Sequence, residues 1–361
     1  MKAMVLLFAC AVAASGYGYW DAFGVGGRVE SLNPSSAGLC GAAVPNSLSA
    51  LSLFTNPSAL AGSDRIQVSL AGWGTGWREE ITYHYTCVEP FRFNIGAMTP
   101  RGAFALTIPV WRGLTAGAGI ATVSQYQMIA TVQEYHEVGV NHRELWKTLV
   151  TDATGDLNEA LVSFSGGIGP VSLGVSPGIR FGSGGSTTYS NRVSGGPDFD
   201  STHVESWEHS EFAIRAGGSV NVGNTTIYSS FISGDSRFHS YAGLGAALSF
   251  SFLEGGFIGS ELAVLDGSNL KMITFANIPS MLPNSNMLLG VCGYRPDGAL
   301  KTGLGLSMGG DYSFGDFSRH RISAAYQYQS RYREGVAVPL SYINHVFDSG
   351  ETFMVGFETG F

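Results

Sequence analysis

Residues Tyr241 to Phe252 read Tyr-Ala-Gly-Leu-Gly-Ala-Ala-Leu-Ser-Phe-Ser-Phe, and they separate into two alternating sets of side chains. Successive side chains of a β-strand point to opposite faces of the sheet, so every second residue shares a face. One face would carry Ala242, Leu244, Ala246, Leu248, Phe250 and Phe252. The other would carry Tyr241, Gly243, Gly245, Ala247, Ser249 and Ser251. The first face suits lipid and the second suits a polar lumen, so the stretch predicts one strand of a transmembrane β-barrel.

The same two-residue period recurs from residue 65 to the carboxyl end, in blocks separated by Gly, Asn, Asp or Pro. Sixteen blocks can be outlined: 66–74, 79–87, 92–98, 102–110, 114–125, 158–168, 171–182, 211–221, 224–233, 240–252, 256–264, 270–277, 286–294, 301–313, 319–331 and 351–361. The blocks at 92–98 and 270–277 are the weakest, so fourteen strands are as acceptable as sixteen. Bacterial barrels have an even number of strands. The predicted fold is therefore an all-β, antiparallel barrel of about 14 strands, with 16 as the alternative.

The composition agrees with a barrel. Charged residues make up 13% of the chain, against roughly 25% in soluble domains, and there are 50 Gly among 361 residues. The mean hydropathy of +0.12 is too low for a bundle of membrane helices. The net charge is −8 and the 20 basic residues are scattered, which argues against a nucleic-acid partner.

The lengths of the connections predict which end of the barrel faces outward. Such barrels have short periplasmic turns and longer external loops. If the block at 66–74 leads outward, the long connections at 126–157, 183–210 and 332–350 all fall outside. The short turns at Trp111-Arg112-Gly113, Gly169-Pro170 and Val222-Gly223-Asn224 then fall inside. Residues 142–150, with Trp146, are rich enough in helix formers to predict a short helix at the membrane rim.

The amino-terminal residues predict export. Met1 and Lys2 precede the apolar run from Ala3 to Ala14, which contains the cleavage pattern Ala11-Val12-Ala13. This arrangement is typical of a secretory signal peptide, here residues 1–14. The next segment, residues 15–64, lacks sustained alternation and is rich in small residues. Composition leaves two interpretations open, a plug inside the lumen and a disordered periplasmic tail.

Two runs within that segment resemble the hatch of a known family. The run from Ser36 to Val44 is rich in Gly and Ala, and the run from Ala50 to Ala61 contains Asn56-Pro57-Ser58. Together they are similar to the hatch of the outer-membrane long-chain fatty-acid and hydrocarbon channels, the FadL/TodX-like family with its PorV-type relatives in secretion systems. Ser58 stands where the family carries Ala. The resemblance implies residues 15–64 as a hatch inside a fourteen-stranded barrel formed by residues 65–361.

The last residues carry a second resemblance. Phe353, Val355, Phe357, Thr359 and Phe361 share one face of the final block. This pattern is similar to the carboxy-terminal signal by which outer-membrane barrels are recognised for insertion. It implies the barrel assembly machinery as a partner and the outer membrane as the location, with Phe353, Val355, Phe357 and Phe361 as the insertion signal.

Enzymatic chemistry is not expected. Gly174–Gly178 and Gly305–Gly309 match the Gly-x-Ser-x-Gly pattern, but Pro177 lacks the N–H that an oxyanion hole needs, and the second match lies in strand sequence with no helix after it.

The polar residues Asp198, Asp200, His203, Glu205, Glu208 and His209 match no metal-site spacing, so we interpret them as solvated loop residues. Cys40, Cys87 and Cys292 are interpreted as buried small residues. No metal and no cofactor is predicted.

The family resemblance implies two functions of different kinds. The first is passive uptake of a hydrophobic small molecule, such as a long-chain fatty acid, through a barrel whose hatch shifts. The second is a non-enzymatic adaptor, which binds proteins of a secretion or surface-attachment system. The sequence does not choose between them.

Overall fold

The computed structural model describes residues 27–28, 31–45, 49–83, 91–93, 101–126, 128–139, 142–192, 199–250, 255–265, 269–294, 300–315, 319–338 and 341–361. Over these residues the chain forms one antiparallel sheet that closes on itself as a fourteen-stranded transmembrane barrel. The predicted fold class and the count of fourteen are confirmed. The predicted signal peptide, residues 1–14, lies outside the described residues and stays a prediction.

The described strands are numbered in chain order. They are β1 Gly27–Arg28, β2 Gln67–Tyr83, β3 Phe91–Phe93, β4 Arg101–Trp111, β5 Leu114–Gln125, β6 Met128–Gly139, β7 His142–Ile168, β8 Val171–Arg192, β9 Phe199–Val222, β10 Thr225–Ile232, β11 Tyr241–Ser249, β12 Phe257–Leu265, β13 Asn269–Pro279, β14 Ser285–Tyr294, β15 Leu300–Phe314, β16 His320–Val338 and β17 Ser341–Gly360. The wall consists of β2, β4, β5 and β7 to β17, each bonded to the next. The pairing of β17 with β2, from Gly360 opposite Gln67 to Ile343 opposite Tyr83, closes the ring. The three remaining strands add to single wall strands, β1 to β5, β3 to β2 and β6 to β7.

The two faces of the wall differ as the sequence predicts. In β11, Tyr241, Gly243 and Ala247 are buried inside the barrel, whereas Leu244 is 63% exposed on the outer face. Large apolar side chains on the outer face include Leu70, Phe104, Ile120, Val162, Leu262, Met272, Val291 and Leu306. Buried polar side chains on the inner face include Ser69, Thr107, Glu159, Ser163, Arg180, Arg215, Glu261, Lys271, Ser307 and Ser323. An apolar outer band around a polar lumen is what a barrel in lipid requires.

The count of fourteen is reached in a different way from the one that the sequence suggested. The block at 270–277, judged weak, is a full wall strand, β13. The separate block at 79–87 was wrong over its described part, because β2 runs without a break to Tyr83. The block at 92–98 is reduced to the three residues of β3, as far as the structure describes it. Two blocks are lost and both precede β4, so every later strand keeps its predicted direction.

The predicted short turns are confirmed. Arg112-Gly113, Gly169-Pro170 and Gly223-Asn224 each join two wall strands as two-residue turns. The three glycines have φ of 75°, 59° and 59°. This left-handed region is accessible to Gly at no steric cost, so these glycines make the tight turns between antiparallel strands.

The predicted long loops were wrong in their described parts. Residues 128–139 and 142–157 form β6 and the first half of β7, and the loops at 183–210 and 332–350 are continuations of β8, β9, β16 and β17. The predicted helix at 142–150 is strand. The reason is that alternating hydrophobicity marks a strand only where one face meets lipid. Beyond the membrane the backbone ladder continues without that pattern.

These extensions make the wall uneven in height. Strands β7, β8 and β9 have 27, 22 and 24 residues, whereas β10, β11 and β12 have 8, 9 and 9. A strand crosses a membrane in about 9–11 residues. The β7–β9 side therefore projects beyond the membrane by roughly ten residues or more, at about 3.3 Å per residue along the strand.

The final strand has the orientation that the carboxy-terminal pattern predicts. Phe353, Val355 and Phe357 lie on the outer face of β17, while Met354 and Gly356 are buried on the inner face. Phe361 follows the strand, is 72% exposed, and donates its backbone N–H to the carbonyl of Ile66 at 2.9 Å. The role of these residues as an insertion signal stays a prediction.

We expect deletion of Phe361 to lower the amount of protein that reaches the outer membrane, with more precursor or degraded chain in the periplasm. The ring buries little surface, so its loss removes at most about 2 kcal/mol from the folded barrel. Protein refolded in detergent is therefore expected to keep nearly its original melting behaviour. Immunoblots of fractionated cells and heat-modifiability gels measure the two effects. Normal outer-membrane levels of the truncated protein would show that the ending is an ordinary strand.

Candidate functional site

The amino-terminal segment crosses the lumen as a hatch in two halves. The first half, residues 31–45, contains the helix α1, Pro34–Gly38, which packs on β14 to β17. The second half, residues 49–63, contains two short 3-10 helices, Ala50–Phe54 and Pro57–Leu60, which pack on β2, β4, β5 and β7 to β9. No helix among the described residues is both long and apolar enough to span a membrane. Of the two open interpretations, these contacts with the wall and the burial of the segment support the plug from residue 31 onward.

Side-chain caps define where each hatch helix begins. The Oδ1 atom of Asn33 accepts from the N–H of Ser35 at 3.0 Å, and Ser49 Oγ accepts from Leu51 at 3.2 Å. The Oδ1 atom of Asn56 accepts from the N–H of Ser58 at 3.2 Å. Asn and Ser at this position satisfy donors that a helix leaves without partners, and Pro in the first helical position sets the backbone angle.

The predicted hatch motif, Asn56-Pro57-Ser58, lies at the centre of these contacts. Asn56 Nδ2 donates to the carbonyl of Ala43 in the first half at 2.9 Å and to the carbonyl of Ser229 in β10 at 3.3 Å. Ser58 Oγ donates to Asn56 Oδ1 at 2.7 Å. One asparagine side chain thus joins both halves of the hatch to the wall. Ser58, where the resembled family has Ala, supplies one of these hydrogen bonds.

Two glycines of the wall lie directly against this motif. Gly174 in β8 and Gly217 in β9 stand opposite each other in the sheet. A Cβ atom at Gly217 would lie 1.9 Å from Asn56 Oδ1, and one at Gly174 would lie 2.4 Å from the carbonyl carbon of Pro57. The wall therefore touches the hatch with its backbone here, and any side chain in this glycine pair would displace the motif.

The first half docks in the same way, through a second Asn-Pro pair that the sequence analysis missed. A Cβ at Gly356 in β17 would lie 2.7 Å from Cγ of Pro34. A Cβ at Gly290 in β14 would lie 2.6 Å from the carbonyl carbon of Leu39. The repeat of Asn-Pro at residues 33–34 and 56–57 was the available signal.

A buried charged cluster holds the second half. Glu159 in β7 binds Arg180 in β8 at 2.8 Å and Arg215 in β9 at 2.5 Å. Arg215 Nη1 also donates to the carbonyl of Phe54 in the hatch. Arg180 forms a second ion pair with Asp235 in the connection after β10. The two arginines and two acids balance in charge, and all four are nearly inaccessible to solvent.

A second polar cluster holds the first half. Glu261 in β12 accepts from the N–H of Ala43 at 2.8 Å, from the hydroxyl of Tyr228 at 2.9 Å, and from the hydroxyl of Tyr241. Lys271 Nζ in β13 donates to the carbonyl of Cys40 at 3.2 Å. Charged side chains of the wall thus bind backbone groups of the hatch, which would otherwise be buried without partners.

An aromatic cluster lies beside the connection after β10. The rings of Tyr126 and Trp207 meet edge to face at 4.7 Å, and the guanidinium of Arg237 lies 4.3 Å from the Trp207 ring. Phe238 packs under Arg180 at 3.9 Å. Burial raises the pKa of Tyr126 to about 12, although Arg237 opposes the rise. The phenol stays protonated and donates to the carbonyl of Arg237 at 2.7 Å.

The serines of the two Gly-x-Ser-x-Gly patterns lie in strands and face the lumen. Ser176 in β8 is buried and donates to Ser163 Oγ at 2.9 Å. Ser307 in β15 donates to the carbonyl of Gly38 in the hatch at 2.9 Å. Ser176 thus joins two strands of the wall, and Ser307 joins the wall to the hatch. The Gly-x-Ser-x-Gly pattern did not indicate this role of Ser307.

The polar residues predicted for an external loop lie on paired strands in their described part. His203 and Glu205 form an exposed pair at 2.8 Å in β9, and His209 lies 3.4 Å from Asp235. Within the described ranges these and other acidic, His and Cys residues form no cluster of three suited to a metal ion. Asp198 lies outside the described residues.

We expect Gly217→Ala to loosen the second half of the hatch. The added methyl would overlap Asn56 Oδ1, so the asparagine must leave its hydrogen bonds to Ala43 and Ser229. Overpacking of this kind costs about 1–3 kcal/mol. Heat-modifiability gels would show a lower unfolding temperature, and planar bilayers would show more frequent openings. Gly293→Ala in β14 is the matched control, because its Cβ meets nothing within 4 Å. Equal behaviour of the two variants would contradict the docking role of Gly217.

We expect Glu159→Leu to destabilise the barrel by about 3–5 kcal/mol, because it leaves two buried guanidinium groups with one carboxylate. Guanidinium chloride unfolding of detergent-refolded protein measures the loss. Glu205→Leu removes an exposed acid of the same kind and is expected to change stability little. If Glu159→Leu lowers the stability no more than Glu205→Leu does, the charged cluster does not stabilise the barrel.

Comparison with known proteins places this geometry among solved barrels. No protein-family model and no curated protein matches the sequence. The structure is similar to a FadL homologue of Pseudomonas aeruginosa, with 13% identity and a TM-score of 0.64, covering 92% of this chain and 99% of that one. It is also similar to the toluene transporters TodX of P. putida and TbuX of Ralstonia pickettii, with 12% and 11% identity, TM-scores of 0.58 and 0.52, and the same coverage. The chain thus has the fold of the FadL/TodX-type outer-membrane barrels, as the resemblance of its hatch implied.

Proposed function

We propose that the protein is an outer-membrane channel for the passive uptake of hydrophobic small molecules. The observation that carries the proposal is a lumen closed by a hatch that consists of short, separately docked turns. A wide aqueous pore would need an open lumen, whereas here helix α1 packs on β14 to β17 and the two 3-10 helices pack on β2, β4, β5 and β7 to β9, inside the barrel. A solute must therefore pass a hatch whose parts shift. Two of the neighbours in fold are toluene transporters, which supports this class of solute.

The apolar surface inside the barrel supports the same class of solute. The side chains of Leu51, Leu53 and Phe54 in the hatch belong to one buried cluster with wall and connection residues. The cluster includes Trp73, Tyr126, Leu157, Leu161, Ile232, Phe238 and Tyr241, and Trp207 packs against it. A hydrophobic molecule that displaced the second half of the hatch would contact this surface. Long-chain fatty acids are the cargo we propose first, with small aromatic hydrocarbons as the alternative within the class.

A strain that lacks the barrel provides the test. We expect it to take up radiolabelled oleate or toluene more slowly than the same strain complemented with the wild-type gene. Pro57→Ala is expected to change the uptake rate without loss of assembly, because Pro57 lies against Gly174 in the docked hatch. Pro283→Ala, an exposed turn proline between β13 and β14, is the control and is expected to match the wild type. Equal uptake with and without the barrel would refute the channel.

One observation favours a second candidate, the adaptor of a secretion or surface-attachment system. The β7–β9 side of the wall rises well beyond the membrane and ends in paired strands. Such an extension offers surface to a protein partner. Recovery of secretion-system proteins with the affinity-tagged barrel from outer membranes, together with unchanged uptake, would favour this candidate.

A further inference from the structure

Two buried cysteines face each other across the contact between hatch and wall. Cys40 lies in the first half of the hatch and Cys292 lies on the inner face of β14. A Cβ atom at Gly305 would lie 2.4 Å from Sγ of Cys292 and 3.4 Å from Sγ of Cys40. Both sulfurs lie close to this one point, so they are within about 6 Å of each other.

Several neighbouring contacts hold Cys40 close to Cys292. Gly305 is the partner of Cys292 in the ladder between β14 and β15, and its missing side chain leaves room for both sulfurs. A Cβ at Gly290, two residues before Cys292, would lie 2.7 Å from the backbone nitrogen of Cys40. Lys271 binds the carbonyl of Cys40, and Cys40 itself has a φ of 60°, a conformation that non-glycine residues rarely adopt. The hatch backbone is therefore held in an unusual conformation that presents this thiol to β14.

We propose that Cys40 and Cys292 form a disulfide in the exported protein, which ties the first half of the hatch covalently to the wall. An outer-membrane barrel passes through an oxidising compartment, where disulfides form and persist. The oxidant is the disulfide of a periplasmic thiol oxidoreductase. A thiolate of one cysteine attacks that disulfide, and the thiolate of the other resolves the mixed disulfide. The two thiols lose two protons and two electrons, and the oxidant leaves as its dithiol.

This disulfide would make the first half of the hatch less mobile than the second half. The first half would be anchored to β14 by a covalent bond. The second half, with the Asn56-Pro57 turn, would be held by non-covalent contacts: hydrogen bonds, the glycine pair and the buried apolar cluster. Displacement during transport would then be confined to residues 49–63. The inference depends on export and not on the identity of the cargo, so failure of the uptake assay leaves its test intact.

Thiol counting in the full chain tests the proposal. Cys10→Ala and Cys87→Ala together leave Cys40 and Cys292 as the two cysteines. Outer membranes are dissolved in denaturant together with an alkylating agent, so that buried thiols are blocked, and the barrel is then treated with a 5-kDa maleimide polymer with or without reduction. Blocked thiols take no polymer, so a disulfide gives a shift of two polymers after reduction and none before it. An alkylated protein that gains no polymer after reduction would overturn the proposal. A reducible dimer on non-reducing gels would overturn it equally.

Three variants test whether the oxidised pair is the one that the geometry indicates. Gly305→Ala places a methyl between the sulfurs, so we expect the doubly labelled fraction to fall. Gly293→Ala, on the outer face of the same hairpin, is expected to keep the wild-type fraction. Cys40→Ser is expected to abolish labelling after reduction, since Cys292 then reaches the alkylating agent as a thiol. Full labelling of Gly305→Ala, or labelling of Cys40→Ser, would show that the oxidised pair is not the one described.

Discussion

The hatch can occupy the lumen because the barrel wall has no side chains where the hatch comes closest to it. Gly174, Gly217, Gly290 and Gly356 mark these places, and at each of them a Cβ atom would overlap the hatch. The two Asn-Pro turns fit this surface, since proline fixes the backbone and asparagine caps the helical turn that follows. Glycine in a strand normally weakens it. In this barrel the loss is offset by direct packing of the hatch on the wall backbone, so the high glycine content serves the lumen as well as the turns.

Close packing of backbones creates a second requirement, which the charged residues of the lumen meet. A hatch of short turns leaves many N–H and carbonyl groups without internal partners, and the wall supplies those partners from Arg215, Glu261, Lys271 and Ser307. Buried ions are costly unless they are paired, which explains why Arg215 shares Glu159 with Arg180. Such pairs add little net stability, but they define one position of the hatch among many that apolar contacts alone would tolerate.

Much of the barrel could be predicted from the sequence, because lipid imposes alternation on every strand that crosses it. The faces of β11, the turns at Gly113, Gly169 and Gly223, and the outer face of β17 follow from that constraint. The strands beyond the membrane could not be predicted, since no lipid acts on them and their polar sequence resembles that of a loop. Asn56 and Pro57 could be singled out by resemblance, whereas the glycines that receive them lie more than a hundred residues away. Their pairing depends on the register of β8 with β9, which single-sequence reasoning does not provide.

The two halves of the hatch differ in what their release would expose. If the second half moves, Arg215 loses the carbonyl of Phe54 but keeps Glu159, so no charge is left without its counter-charge. If the first half moves, Glu261 loses the N–H of Ala43 but keeps the hydroxyls of Tyr228 and Tyr241, and Lys271 loses the carbonyl of Cys40. Release of the first half thus takes a hydrogen bond from two buried charged groups, whereas release of the second half takes one from a single charged group. The charges of the lumen therefore favour movement of the second half over the first. That half carries the apolar side chains which a hydrophobic solute would have to displace.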